Sequence, residues 1–137
     1  MRILLTGATG YIGKRLLPVL LDLGHEVICC VRDVNRFTPP DNNNGKIKLI
    51  QVDLLDKKTL SKIPKDIDAA YYLVHSMSVS AKYQKLEHSS AVNFKNYLNK
   101  TNVKHVIYLS GIVNETILSE HLSSRKNVED ELSKGNY

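Results

Sequence analysis

Arg2-Ile3-Leu4-Leu5-Thr6-Gly7-Ala8-Thr9-Gly10-Tyr11-Ile12-Gly13 opens the chain, and its reading decides the fold. The apolar run Arg2 to Leu5 predicts a short buried strand. Three glycines spaced G-x-x-G-x-x-G follow it and lead into an apolar-periodic helix, which is the pattern of a dinucleotide-phosphate turn. Gly7 is expected to let the chain turn tightly, Gly10 to let the backbone approach a pyrophosphate, and Gly13 to let the helix pack close on the strand. The amides of the first helical turn, at the positive end of the helix dipole, would hold the phosphates. Thr9, Tyr11 and Ile12 belong to the same candidate cofactor-binding set. A plain tight turn is the alternative, but the strand before it and the helix after it favour the phosphate site.

The helix is expected over residues 11–23, with Ile12, Leu16, Val19 and Leu23 on its inner face and Gly24 as its stop. Pro18 lies inside it and predicts a kink or a loosened turn, because proline removes one ladder hydrogen bond. Beyond it, Glu26 to Val31 reads as a second strand and Lys46 to Val52 as a third, with a loop of turn residues from Phe37 to Gly45 between them. A short helix around Lys57 to Lys62 precedes a central strand over Asp68 to Val74. The longest helix follows at Ala81 to Lys100, with Tyr83, Leu86, Ser90, Phe94, Tyr97 and Leu98 recurring on one side. Val103 to Leu109 is the fifth strand. A last helix spans about Ser119 to Lys134, with Leu122, Val128 and Leu132 inward and Gly135 as its cap. Strand and helix alternate throughout, which predicts an α/β fold: a doubly wound parallel sheet of five strands in order 3-2-1-4-5, with ligands at the carboxyl ends.

At 137 residues the chain suits one domain, with composition ordinary for a soluble globular protein. Nineteen Lys and Arg against 14 Asp and Glu give a formal net charge of +5. The lysines are scattered rather than gathered into a stripe, which argues against a nucleic-acid surface and suits an anionic cofactor. Cys29 and Cys30 are adjacent, so on a strand they point to opposite faces and read as core packing rather than a disulfide. That fits a cytoplasmic location. No signal peptide or membrane-length apolar run appears, and the five histidines lack metal-ligand spacing, so no metal is expected.

Several pieces together resemble the atypical short-chain dehydrogenase/reductases, a group that includes nucleoside-diphosphate-sugar epimerase-like and regulator-like proteins. They are Thr6-Gly-Ala-Thr-Gly-Tyr-Ile-Gly13, Cys30-Val-Arg-Asp33, Val52-Asp-Leu-Leu-Asp56 and Tyr71-Tyr-Leu-Val-His-Ser-Met77. Asn93-Phe94, Tyr108-Leu-Ser-Gly111 and Leu118-Ser-Glu-His-Leu-Ser-Ser-Arg125 continue the pattern. The resemblance covers nearly the whole chain and implies an NAD(P)-binding Rossmann domain of an epimerase-like or reductase-like oxidoreductase acting on an unknown small molecule. A non-catalytic dinucleotide sensor is the alternative, and an oligomer is left open.

Two departures limit what the resemblance implies. The family's catalytic Tyr-x-x-x-Lys occurs nowhere in this sequence, and the last helix carries His121-x-x-x-Arg125 instead. Family members also continue into a substrate-binding lobe, whereas this sequence stops where a sixth strand would begin. The expectation is a domain truncated before that lobe, with a five-strand minimal domain as the alternative.

Site residues follow from the strand ends. Arg32 stands where the adenosine ribose is read and can pair with the 2′-phosphate of NADP, whereas Asp33 beside it could bind the 2′-hydroxyl of NAD. NADP is the expected cofactor, with NAD as the alternative. The resemblance implies that Asp53 accepts from the adenine amino group with Leu54 covering the base, and Asp53 can also cap its own turn. Val74 and His75 end the fourth strand near the nicotinamide side. Ser110 matches the family's active-site serine. His121 could donate a proton in place of the missing tyrosine, and Arg125 could supply the charge of the missing lysine. Tyr108 is expected to line core or cleft. Asn93, a poor helix former, is expected to hydrogen-bond a backbone group between the fourth and fifth strands.

Overall fold

Strands buried on both faces read as unbroken apolar runs, and the two central ones here are of that kind. A computed structural model describes residues 1–74, 81–111 and 119–137. In it Arg2–Thr6 (β1) and Glu26–Val31 (β2) are buried at every position but their first. Ile47–Gln51 (β3), Ala69–Tyr72 (β4) and His105–Tyr108 (β5) complete a five-stranded sheet of order β3-β2-β1-β4-β5. Every pair is parallel, with Leu4 opposite Ile28 and Ala70, and Tyr72 opposite Tyr108. The order predicted from the alternation of elements is the one observed.

The two-residue period of β1 and β2 divides the core into two layers. Leu4, Ile28 and Cys30 join Ala70, Tyr72, Phe94, Leu98, Val128 and Leu132 on one face of the sheet. Ile3, Leu5, Val27 and Cys29 join Leu17, Leu20 and Leu21 on the other. The adjacent cysteines therefore separate to opposite faces, as expected. Both are free, and burial pushes the Cys29 thiol up to about 12 and the Cys30 thiol higher still.

Tyr11–Asp22 (α1) covers the second face, and Ala81–Leu98 (α2) and Glu120–Leu132 (α3) pack together on the first. The inner face of α1 differs from the one predicted. Gly13, Leu17, Leu20 and Leu21 are buried, while Ile12, Val19 and Leu23 are exposed. The reason lies at Gly13, where a Cβ would come within 2.3 Å of the Gly7 carbonyl oxygen. That close approach fixes the helix by its glycine, and one residue of rotation turns the face by about 100°. The helix continues through Pro18 without a break, and the Pro18 carbonyl accepts from Asn42 Nδ2 at 3.0 Å. It ends at Gly24 (φ +83°), whose amide donates to Leu21 O while that of His25 donates to Leu20 O.

Smaller differences concern element ends. The helix expected around Lys57 to Lys62 is a single 3₁₀ turn at Thr59–Lys62. The fourth and fifth strands are shorter at both ends than predicted. In α2 the buried positions are Ser90, Ala91, Asn93, Phe94 and Leu98, whereas Tyr83 is exposed. Asn93 does donate to a backbone carbonyl, but that of Leu54 beyond β3, at 2.9 Å, rather than one between β4 and β5. The buried amide thus anchors the loop after β3 that carries Asp53 and Leu54.

Candidate functional site

The strand ends converge on one cleft of about 550 Å³ at the carboxyl edge of the sheet. Its floor is made by the glycine turn. Thr6, 1% exposed, receives the Leu73 amide at 3.1 Å and donates to Tyr71 O at 3.0 Å, locking β1 to β4 directly beneath the turn. Gly7 has φ +71°, and a Cβ there would lie 2.7 Å from Leu73 O, so both conformation and space demand glycine. The Gly10 amide closes the turn onto Gly7 O at 2.9 Å, and Lys14 N–H makes the first helical bond to Gly10 O.

No side chain caps α1. Its first-turn amides therefore stand at the cleft without a capping side chain, at the positive end of the helix. A Cβ at Gly10 would meet only Gly7 O, at 3.2 Å. The space above Gly10 is open toward the cleft, which is the cradle that an incoming phosphate needs. Tyr11 is exposed at this rim, and the Arg15 guanidinium lies 3.7 Å from its ring centroid.

The predicted cofactor residues come together. Thr9, Gly10, Tyr11, Ile12 and Gly13 line the cleft from the turn, Arg32 from the end of β2, Asp53 and Leu54 from the end of β3, and Val74 from beyond β4. His75 lies outside the described residues. Arg32 is exposed, and its carbonyl accepts from Gln51 Nε2 at 3.0 Å. Asp33 is turned to other work: its Oδ1 accepts from the Asn35 amide at 3.0 Å, capping the 3₁₀ turn Val34–Arg36, and it does not line the cleft. Asp53 accepts the Leu55 amide at 2.9 Å, so it caps its own turn while lining the cleft.

The three residues expected to carry catalysis are not assembled. Arg125 lines the cleft from α3, at the end away from Arg32 and Asp53. His121, one turn earlier, is exposed and lines no part of the cleft, because four residues of helix displace a side chain by about 6 Å along the axis. Ser110 opens onto a second hollow along the outer edge of β5, beside Glu129 and Tyr137. Its hydroxyl is buried without a hydrogen bond of good geometry, but it assists Lys126 in holding the Glu129 carboxyl below its ordinary value.

Residues that sequence reasoning did not assign also reach the cleft, namely Tyr72, Leu73, Ser90 and Leu109, and Tyr108 lines it as expected. Tyr108 stacks edge-on to Tyr72 at 5.8 Å, and Tyr72 packs on Phe94 at 5.1 Å. Burial pushes the Tyr108 phenol up to about 12, against the opposing pull of Arg125 and with the help of Glu87 and Glu129. At neutral pH it is a hydrogen-bond donor. Strand parity was the available signal, since Tyr72 and Tyr108 are direct partners in the sheet.

The fold and the cleft together define a doubly wound dinucleotide-binding domain of the α/β class. Residues 3–118 match the NAD dependent epimerase/dehydratase family, and the chain belongs to that family. It is 30% identical over 121 residues to the UDP-glucose 4-epimerase of Schizosaccharomyces pombe, covering 79% of this chain and 34% of that protein. It is 29% identical over 93 residues to trichosetin synthetase of Gibberella fujikuroi, covering 62% of this chain and 2% of that protein.

Among solved structures, the triphenylmethane reductase of a Citrobacter species superposes with a TM-score of 0.80 at 18% identity, over 99% of this chain and 46% of that one. A nucleoside-diphosphate-sugar epimerase of Staphylococcus aureus gives 0.76 at 21% identity, over 99% and 47%. These likenesses concern the fold. The chain spans about a third of the yeast epimerase and just under half of the two structures. No described helix is long and apolar enough to cross a membrane.

Proposed function

We propose that these 137 residues are the NADP(H)-binding part of a larger epimerase- or reductase-like oxidoreductase. One observation carries the reading: an uncapped helix start and three strand ends converge on a single cleft whose glycine floor leaves room for a pyrophosphate. Arg32 and Asp53 mark the adenosine end. The choice of NADP over NAD rests on the division of labour at the end of β2. Arg32 is exposed at the cleft and can meet a 2′-phosphate, whereas the Asp33 carboxylate is engaged in its own turn.

A nicotinamide dinucleotide supplies hydride-transfer chemistry when bound. The chain's own residues bind and orient it: the α1 amides hold phosphate, Leu54 covers the base, and the buried Asn93 amide fixes the Leu54 loop. The substrate belongs to the remainder of such an enzyme. A second reading, a dinucleotide sensor without catalysis, draws support from the dispersal of Ser110 and His121 away from the cleft and from the absence of Tyr-x-x-x-Lys.

Calorimetric titration with NADP⁺ and NAD⁺ tests the proposal. Gly10→Val places a branched side chain in the open space above the turn and should abolish binding with the fold retained. Equal affinity for the two proteins would refute the site.

A further inference from the structure

The cleft carries a feature at its inner end that dinucleotide binding alone does not use. Once the adenosine is seated at Arg32, Asp53 and Leu54 and the pyrophosphate over the glycine turn, the remaining wall includes, among the described residues, Val74, Tyr108, Leu109 and Arg125. Arg125 is half-buried there, and it forms no ion pair or hydrogen bond with any described residue. A guanidinium is a planar, positively charged group. A half-buried cation at a cleft wall that no described carboxylate pairs with repels a positive ligand that comes beside it.

The nicotinamide ring is such a ligand in only one of its two states. It carries a positive charge when oxidised and none when reduced, whereas the adenosine and pyrophosphate halves are the same in both. We propose that Arg125 makes this cleft selective for redox state, so that it binds NADPH more tightly than NADP⁺. This inference rests on the assignment of the cleft to a nicotinamide dinucleotide.

The surroundings agree with the sign. The Tyr108 phenol lines the same wall, and Arg125 is the leading charge acting on it, ahead of Glu87 and Glu129. Those two carboxylates do not line the cleft. Glu87 accepts from Ser124 Oγ, and Glu129 is paired with Lys126 at 2.9 Å. Among the described residues, the strongest single charge acting on that wall is therefore the positive one of Arg125. Partial exposure and solvent screening limit the effect, and a preference of about tenfold is expected.

The test compares three ligands on three proteins by calorimetry: NADPH, NADP⁺ and adenosine 2′,5′-bisphosphate, which lacks the nicotinamide half. The wild type should bind NADPH about tenfold more tightly than NADP⁺. Arg125→Gln should bring the two within about twofold, chiefly by tightening NADP⁺, and leave the bisphosphate unchanged. Arg125→Lys keeps the charge and should keep the preference.

Equal affinities in the wild type, or an undiminished preference in Arg125→Gln, would overturn the inference. So would a uniform loss of all three ligands in that variant, because Arg125 would then act on the whole cleft. If the bisphosphate binds wild type and the preference is absent, the dinucleotide assignment stands and this inference alone falls. If none of the three binds wild type, both fall.

Discussion

Replacing Gly13 by alanine sets two known effects against each other, and the structure says which wins. Gly13 is the third residue of α1, where alanine is the better helix former by about 1 kcal/mol. Taken alone, that gain would make the variant more stable. The added Cβ, however, would lie 2.3 Å from Gly7 O and 2.9 Å from both Ala8 Cα and Gly7 C. All three are backbone atoms of the turn, and Gly7 is itself held against Leu73 O, so none can yield without moving β1 or β4. Overpacking of this kind costs about 1–3 kcal/mol, and a contact with three backbone atoms belongs at the upper end.

The net expectation is a destabilisation of about 2 kcal/mol. For a domain of this length that corresponds to a fall in Tm of roughly 6–8 °C. Thermal melts followed by circular dichroism would measure it, with Gly10→Ala as the comparison. Its Cβ meets only one atom, at 3.2 Å, so its Tm should stay within about 2 °C of the wild type while dinucleotide affinity falls. If Gly13→Ala melts at or above the wild-type temperature, the account of α1 as docked through its glycine is wrong.

Two further outcomes are expected. Arg32→Ala should remove most of an NADP preference of about ten- to a hundredfold, since a hydrogen bond to a charged group contributes roughly 1.5–3 kcal/mol. A wild type that prefers NAD would show Arg32 to be a solvated loop charge. Glu131, buried between α2 and α3, accepts from Lys95 at 2.6 Å and Lys134 at 2.9 Å, and these lysines hold its carboxyl below the ordinary value of 4.5. Its contribution to stability is therefore complete above that value and is lost as the pH falls through the depressed one. Glu131→Leu should flatten the acid limb of the stability–pH curve. It should also destabilise the fold at pH 7 by about 3 kcal/mol, because the Lys95 ammonium is left unpaired in the helix interface. An unchanged acid limb in urea titrations would refute the role given to this pair.

The sequence determined the sheet, its strand order and which residues at the ends of β1, β2 and β3 line the cleft. Those features rest on short-range causes: a two-residue apolar period in strands, glycines where no side chain fits, and polar residues at strand ends. Each acts within a few positions of the chain, and Arg2 to Gly13, Arg32 and Asp53 accordingly stand where their spacing put them. The schism between Cys29 and Cys30 was legible for the same reason.

What the tertiary structure alone decided concerns how helices turn against the sheet. A helical period fixes which residues share a face but not which face is pressed inward, and the contact of Gly13 with Gly7 O chose Leu17, Leu20 and Leu21 over Ile12, Val19 and Leu23. The same freedom governs α3. His121 and Arg125 share a spacing that suggested a pair, but only Arg125 reaches the cleft, and Ser110 opens onto the outer edge of β5 instead. Asn93 found its acceptor 39 residues away at Leu54. Such meetings depend on helix docking across long stretches of chain, and no local pattern of residues encodes them.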